Sequence, residues 1–311
     1  MRRILVLAVT GLAVAAFATP AQAESATTHR AATTADAARA VTAFWTPERM
    51  RSAKPLDLIN VAPKALKDVA RGLPAVVPGG VGIQSFPNGG AAWTGGGAVV
   101  NTAGRVFFTY QGRTASCSGN AVTSANKSTV ITAGHCVKLG GAFHTNWAFV
   151  PAYNNGNAPL GTWTAKSTHA TPQWVASEDI NFDVGAAVVN QLGGKSLTDV
   201  TGSQGIAFNQ ARGQNMYSFG WSAAAPYDGT KMIYCSGTVF NDFLLSKGIG
   251  MTCNQTGGSS GGPWFLNFNE AAGTGTLNSV NSFKYNFFAN WMFGPYFGTD
   301  AQNLYNSVQG A

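Results

Sequence analysis

A chain of 311 residues in which 45 % are hydrophobic and 11 % charged can bury a large core, while its 38 glycines and 13 prolines suit barrels or sandwiches better than a helical bundle. The net charge of +7 gives no argument for a nucleic-acid partner. Residues 1–80 hold 10 basic and 5 acidic side chains, which leaves 10 against 8 downstream and no Lys/Arg cluster among them.

Taken in order, Arg2 and Arg3 precede an apolar run from Ile4 to Phe17, and Ala21-Gln22-Ala23 offers a small-residue cleavage site. Residues 1–23 therefore read as a secretory signal peptide. The run is too short for a comfortable membrane span, and no later stretch reaches about 18 uninterrupted apolar residues. An exported protein without membrane attachment is expected. Residues 24–80, rich in Ala, Thr, Arg, Lys and Pro, read as a pro-segment with short helices at Ala35–Phe44 and Lys64–Arg71; on composition alone a disordered export spacer fits as well.

From Val81 the texture changes to short β-branched or apolar runs broken by Gly, Asn and Ser. Val106–Tyr110, Thr129–Ala133, Val184–Val189, Met216–Gly220 and Ser279–Phe283 read as strands of an all-β domain over residues 81–311. At the end, Thr299 with Gln302 predicts a capping box, and Ala301, Leu304, Tyr305 and Val308 then share one helix face.

The cysteines are Cys117, Cys136, Cys235 and Cys253, all in the exported part. Two disulfides are expected, and of the possible connectivities the local one, 117 with 136 and 235 with 253, is simplest. Each would close a loop worth about 3 kcal/mol in the chain-entropy model. Zinc is the rival reading, but the spacing is not CxxC and HExxH is absent, so no metal and no cofactor is expected.

Histidine is scarce, so the search for a general base is short. His135 stands in Thr132-Ala-Gly-His-Cys136, where a β-branched run gives way to small residues beside an expected disulfide. His144 and His169 have no such context and read as packing residues. An imidazole base needs an orienting acid. Asp183 opens the apolar run Val184–Val189, where burial is costly without a partner; Asp179 competes, but Asn181 interrupts the run after it. In Thr256-Gly-Gly-Ser-Ser-Gly-Gly-Pro263 the glycines free the backbone, so that Ser260 can stand clear while the amides of Gly258 and Ser260 converge on one point. By itself such a stretch would also pass for a flexible linker.

Together TAGHC, an Asp before an apolar strand and GGSSGGP, in the order His, Asp, Ser, resemble the trypsin-like serine proteases over about residues 95–311. Cys117-Ser-Gly119 is similar to the family's Cys-Gly-Gly stretch, and the wording around Ser260 is nearest the bacterial glutamyl-endopeptidase-like branch. The resemblance implies two packed antiparallel six-stranded β-barrels, about 95–190 and 200–311, with His135, Asp183 and Ser260 in the cleft between them. It also implies a monomeric endopeptidase acting on peptide or protein substrates. Two pocket positions follow from it, Asn254, six residues before the nucleophile, and Asn281 in the strand after it. Both lack charge, so cleavage after uncharged polar or medium apolar side chains is expected rather than after Lys, Arg or Glu.

Animal members carry an Asp just before the nucleophile, where this chain has Ser259, so a pro-segment here must work otherwise, by assisting folding or covering the cleft. An α/β-hydrolase needs a histidine after the serine, and none follows His169. A catalytically silent, secreted binding protein of the same fold is the alternative, but decay usually removes a member of the triad first, and all three candidates are present.

Overall fold

The computed structural model describes residues 27–60, 68–77 and 87–311. The expected leader over residues 1–23 lies outside them, as do residues 64–67 of the expected helix Lys64–Arg71, whose remaining residues 68–71 are not helical.

Six antiparallel strands, Ala103–Tyr110, Arg113–Ala121, Thr129–Thr132, Thr145–Pro151, Trp163–Ala170 and Gly185–Val189, make the first half. Pairing of Trp163–Ala170 with Gly185–Val189 closes them into a barrel, which leaves no free edge. Val106, Phe108, Val130, Ile131, Phe149 and Val188 of these strands are buried. Each such side chain contributes about 1.5–3 kcal/mol by leaving water.

The second half distributes its strands over two sheets. Gly205–Phe208, Asn215–Gly220, Ile233–Thr238, Pro263–Asn269 and Thr274–Val280 form one, edged by Ala75–Val77 and Asn88–Ala92. Ile249–Thr252 and Trp291–Gly294 form the other, with the short strands Phe240–Asn241, Phe283–Lys284 and Ile59–Asn60. Phe219 and Phe265 of this half share one buried cluster with Val106 and Phe107 of the barrel, so the halves pack as one core. The architecture is all-β with a chymotrypsin-like arrangement.

Helix Thr299–Val308 buries Ala301, Leu304, Tyr305 and Val308 as its periodicity predicts. Its start differs from expectation. No capping box forms: Gly298 is the N-cap, the Thr299 N–H donates to the Ala70 carbonyl, and the Gln302 side chain accepts from Asn209. The Ala70 carbonyl, from a neighbouring segment, takes the Thr299 N–H that the Gln302 side chain would have accepted in a capping box.

Residues 27–60, whose composition also fits a disordered spacer, are folded onto the domain. Thr28–Arg30 pairs antiparallel with Ser167–His169. Helix Ala35–Phe44 begins where the Thr34 hydroxyl accepts the Ala37 N–H at 3.1 Å, and Pro47–Ser52 follows behind a Thr46 cap. Trp45 and Met50 are buried, and the Trp45 indole donates to the Asn146 carbonyl. Beyond them Lys54–Pro55 pairs with Ala115–Ser116, and Ile59–Asn60 with Phe283–Lys284, both in parallel.

Candidate active site

Strand Thr129–Thr132 delivers His135 into a tight 3-10 turn, Gly134–Cys136, as its β-branched run gives out. The disulfide Cys117–Cys136, with Cα atoms 6.1 Å apart, ties this turn to the neighbouring strand. Above it Trp147 donates to the Cys136 carbonyl at 3.0 Å, and His144 bonds the His135 carbonyl at 2.9 Å while stacking on Phe108. The backbone that carries the imidazole is thus held at both His135 and Cys136.

Asp183 arrives on the adjacent strand, since Gly185–Val189 pairs antiparallel with Thr129–Thr132. The 3-10 turn Ile180–Phe182 is capped by Asp179, whose carboxylate accepts the Asn181 N–H at 3.1 Å, and Asp183 follows as the chain enters Gly185–Val189. Its Oδ1 accepts the His135 backbone N–H at 2.7 Å; Oδ2 accepts from His135 Nδ1 at 2.7 Å and from the Ser282 hydroxyl at 2.5 Å. A carboxylate offers only acceptors, so the proton sits on Nδ1 and Nε2 is left as the basic nitrogen. Of the two sequence candidates, Asp183 is the acid brought to His135, and Asp179 caps a turn.

Ser260 lies in the loop between Ile249–Thr252 and Pro263–Asn269. Gly258 has φ +92° and Gly261 φ +77°, in the left-handed region. A Cβ at Gly261 would fall 2.0 Å from Thr132 Oγ1. The loop is sewn to the barrel: Ser118 N–H donates to the Ser260 carbonyl at 2.7 Å, and the Ser118 hydroxyl to the Gly258 carbonyl at 2.9 Å. From the other half, the Asn281 carbonyl accepts the Gly261 N–H at 2.7 Å. Ser259 spends its hydroxyl on the Thr256 carbonyl, inside the loop.

Of the seven buried side-chain polar atoms without a hydrogen-bond partner among the described residues, two belong to the expected triad. His135 Nε2 and Ser260 Oγ are buried without a hydrogen-bond partner among the described residues, although both residues are wholly shielded from solvent. An unpaired buried polar atom is costly and calls for a reason, and a reacting group to be received is one such reason. The Gly258 N–H, one of the expected oxyanion donors, is taken at 3.1 Å by the carbonyl of Leu56.

The expected pocket residues have different surroundings. Asn254 accepts from the Tyr227 hydroxyl at 2.7 Å, and its N–H donates to the Gly89 carbonyl. Asn281 is fully buried in a network: its Oδ1 accepts from Ser218 and Trp264, and its Nδ2 donates to the Phe219 and Ser259 carbonyls and to Gln255. No donor of Asn281 is left over for a substrate. Sequence reasoning missed Lys284, whose Nζ donates to the Cys253 carbonyl at 3.0 Å and to the Ala289 carbonyl, and whose pKa is pushed down to about 8 by burial. The second disulfide, Cys235–Cys253, anchors the residue before Asn254. Ser282 was missed too; it stands between strands Thr274–Val280 and Phe283–Lys284, and a lone serine there carries no local signal.

Cys117, His135 and Cys136 come close enough to suggest a metal site, but the sulfurs are joined to each other and offer no thiolate, so the donor set does not fit one.

Fold and site together define a serine peptidase of the chymotrypsin type. Among solved structures, the protease Anisep from Arthrobacter nicotinovorans is 48 % identical, with a TM-score of 0.66, over 69 % of this chain and 98 % of its own. The thermostable serine protease AL20, from an extremophilic microorganism, is 43 % identical with a TM-score of 0.65 over 68 % and 98 %. The chain belongs to the trypsin-like serine proteases. A Glu endopeptidase shares the fold at 14 % identity and a TM-score of 0.56, covering 72 % of this chain and 98 % of its own. No protein-family model matches the chain. Over 85 residues, 26 % of the chain, it is 33 % identical to an extracellular metalloprotease of Bacillus subtilis, a match that spans a quarter of that protein's length.

Proposed function

We propose that this protease is a secreted endopeptidase in which Ser260 attacks the substrate carbonyl and His135 Nε2 takes the serine proton. The same imidazole then gives that proton to the leaving amine. Asp183 fixes the tautomer and stabilises the imidazolium, while the N–H groups of Gly258 and Ser260 receive the oxyanion. The observation that carries this reading is the buried pair of His135 Nδ1 and Asp183 Oδ2, 2.7 Å apart, with Nε2 and the Ser260 hydroxyl left unpaired. The chain divides, on this reading, into a signal peptide at 1–23, a pro-segment at 24–80 and the protease domain at 81–311, with no membrane or nucleic-acid partner. Export is supported by the two disulfides and by the absence of any helix, among the described residues, long and apolar enough to cross a membrane.

A fluorophosphonate probe tests it. Covalent labelling located at Ser260 by peptide mapping, and lost in Ser260→Ala, is the expected result; a folded protein that no form of treatment renders reactive would leave the silent binding protein as the better account.

A further inference from the structure

Residues 53–60 cross the site as a strap with three anchor points. At one end Lys54–Pro55 pairs with Ala115–Ser116, and the Leu56 N–H donates to the Ser116 carbonyl at 2.9 Å. In the middle the Leu56 carbonyl accepts the Gly258 N–H. At the other end Ile59–Asn60 pairs with Phe283–Lys284. Ala53 and Leu56 are buried, as are His135 and Ser260.

Chain direction is what gives these contacts meaning. Ser116 adjoins Cys117, which is bonded to Cys136 next to His135, so this end is where the imidazole must meet a leaving amine. Phe283–Lys284 follows Asn281 and is tied by Lys284 to Cys253, beside Asn254, so this end is the acyl side. A cleavable peptide enters from the acyl side and leaves past His135, which is antiparallel to Phe283–Lys284. The strap runs parallel to it, from the leaving side to the acyl side.

We propose that residues 53–60 are a tethered inhibitor bound in the substrate cleft with reversed polarity, Leu56 engaging an oxyanion donor while no bond of the strap is placed for cleavage. Were Ser260 to attack the Leu56 carbonyl, the nitrogen to be expelled, that of Asp57, would lie toward Phe283 and away from the imidazole that must protonate it. The strap thus uses the recognition surfaces of a substrate without becoming one. The proposal rests on the roles given above to His135 and Ser260.

The test uses the full chain. Fluorophosphonate labelling of Ser260 is timed in the wild type, in Leu56→Pro, which deletes the N–H held by Ser116, and in Met50→Ala, which loosens the strap at a distance from the site. Each variant is checked for a cooperative melt. Labelling at least tenfold faster in either variant, with the bonds from 53 to 60 intact in the wild type after prolonged incubation, supports the inference. Equal labelling rates in all three would overturn it, as would Ser260-dependent cutting within 53–60. If no variant labels at all, the proposed function fails and the inference falls with it.

Discussion

The hydroxyl of Ser282 donates to Asp183 Oδ2 at 2.5 Å, on the same oxygen that holds His135 Nδ1. The acid that orients the base is thereby fixed from the second half of the molecule, although Asp183 itself comes from the barrel. Ser282→Ala removes one of the three donors on a buried carboxylate, a charge-assisted bond worth roughly 1.5–3 kcal/mol. We expect kcat to fall about tenfold or more with little change in KM, because the loss is felt as charge develops on the imidazole. Unchanged kcat with a lowered melting temperature would mean that Ser282 is purely structural.

Ser260→Ala and His135→Ala should each remove nearly all peptidase activity, and the double variant should be little worse, because nucleophile and base act as a unit. Asp183→Asn should cost a similar amount, since an amide donor would face the His135 N–H groups and impose the wrong tautomer. Asp179→Asn should be mild, as its role is to cap one turn. Steady-state kinetics on a peptide substrate rank the four, and Asp179→Asn as the more damaging acid variant would reverse the assignment.

Asn281 offers a test of the pocket. Its side chain joins five partners and has no free donor, so Asn281→Ala should destabilise the fold by about 3 kcal/mol through orphaned buried groups. Urea denaturation reads this directly. Cleavage preference on a peptide library should stay as it was; an altered preference at unchanged stability would return Asn281 to the substrate pocket.

His144 and His169 predict an acid limit to stability. Burial pushes both down to about 4, from an ordinary value near 6.5. The unfolded chain therefore binds more protons than the folded one between those values. Their contribution is fully present above about pH 6.5 and is lost progressively as pH falls toward 4. Urea midpoints at pH 7, 5.5 and 4.5 should decline in that order. A flat profile across this window would show that neither ring is held neutral.

The parts of the site that were legible in the sequence are those whose chemistry needs unusual local residues. A hydroxyl on a loop with φ near +77° to +92° needs glycines around it, and a base at the end of a β-branched run needs small neighbours. Helix Ala35–Phe44 was expected as well, although composition alone fitted a disordered spacer equally. Ser282 was not, because its importance lies in a partner 99 residues away. Asn281 was placed in the pocket by the family resemblance, and an asparagine's polarity does not say whether its partner is substrate or protein. The failed capping box at Thr299 has the same origin: a distant carbonyl, that of Ala70, took the bond that local sequence had reserved. Reversal of the strap is invisible for a further reason, since two-residue strands such as Lys54–Pro55 carry no pattern of direction.

Strand Ala75–Val77 lies antiparallel along Gly205–Phe208, the outermost strand of its sheet before that pairing is added. If residues up to about 80 are cut away and diffuse off, the backbone of Ile206, Ala207 and Phe208 loses its neighbour. What remains is an open sheet edge of apolar residues with neither Lys nor Pro to discourage docking by another chain. Maturation of this protease would therefore trade a blocked cleft for an adhesive flank, and freshly processed molecules at high concentration would meet one another there first.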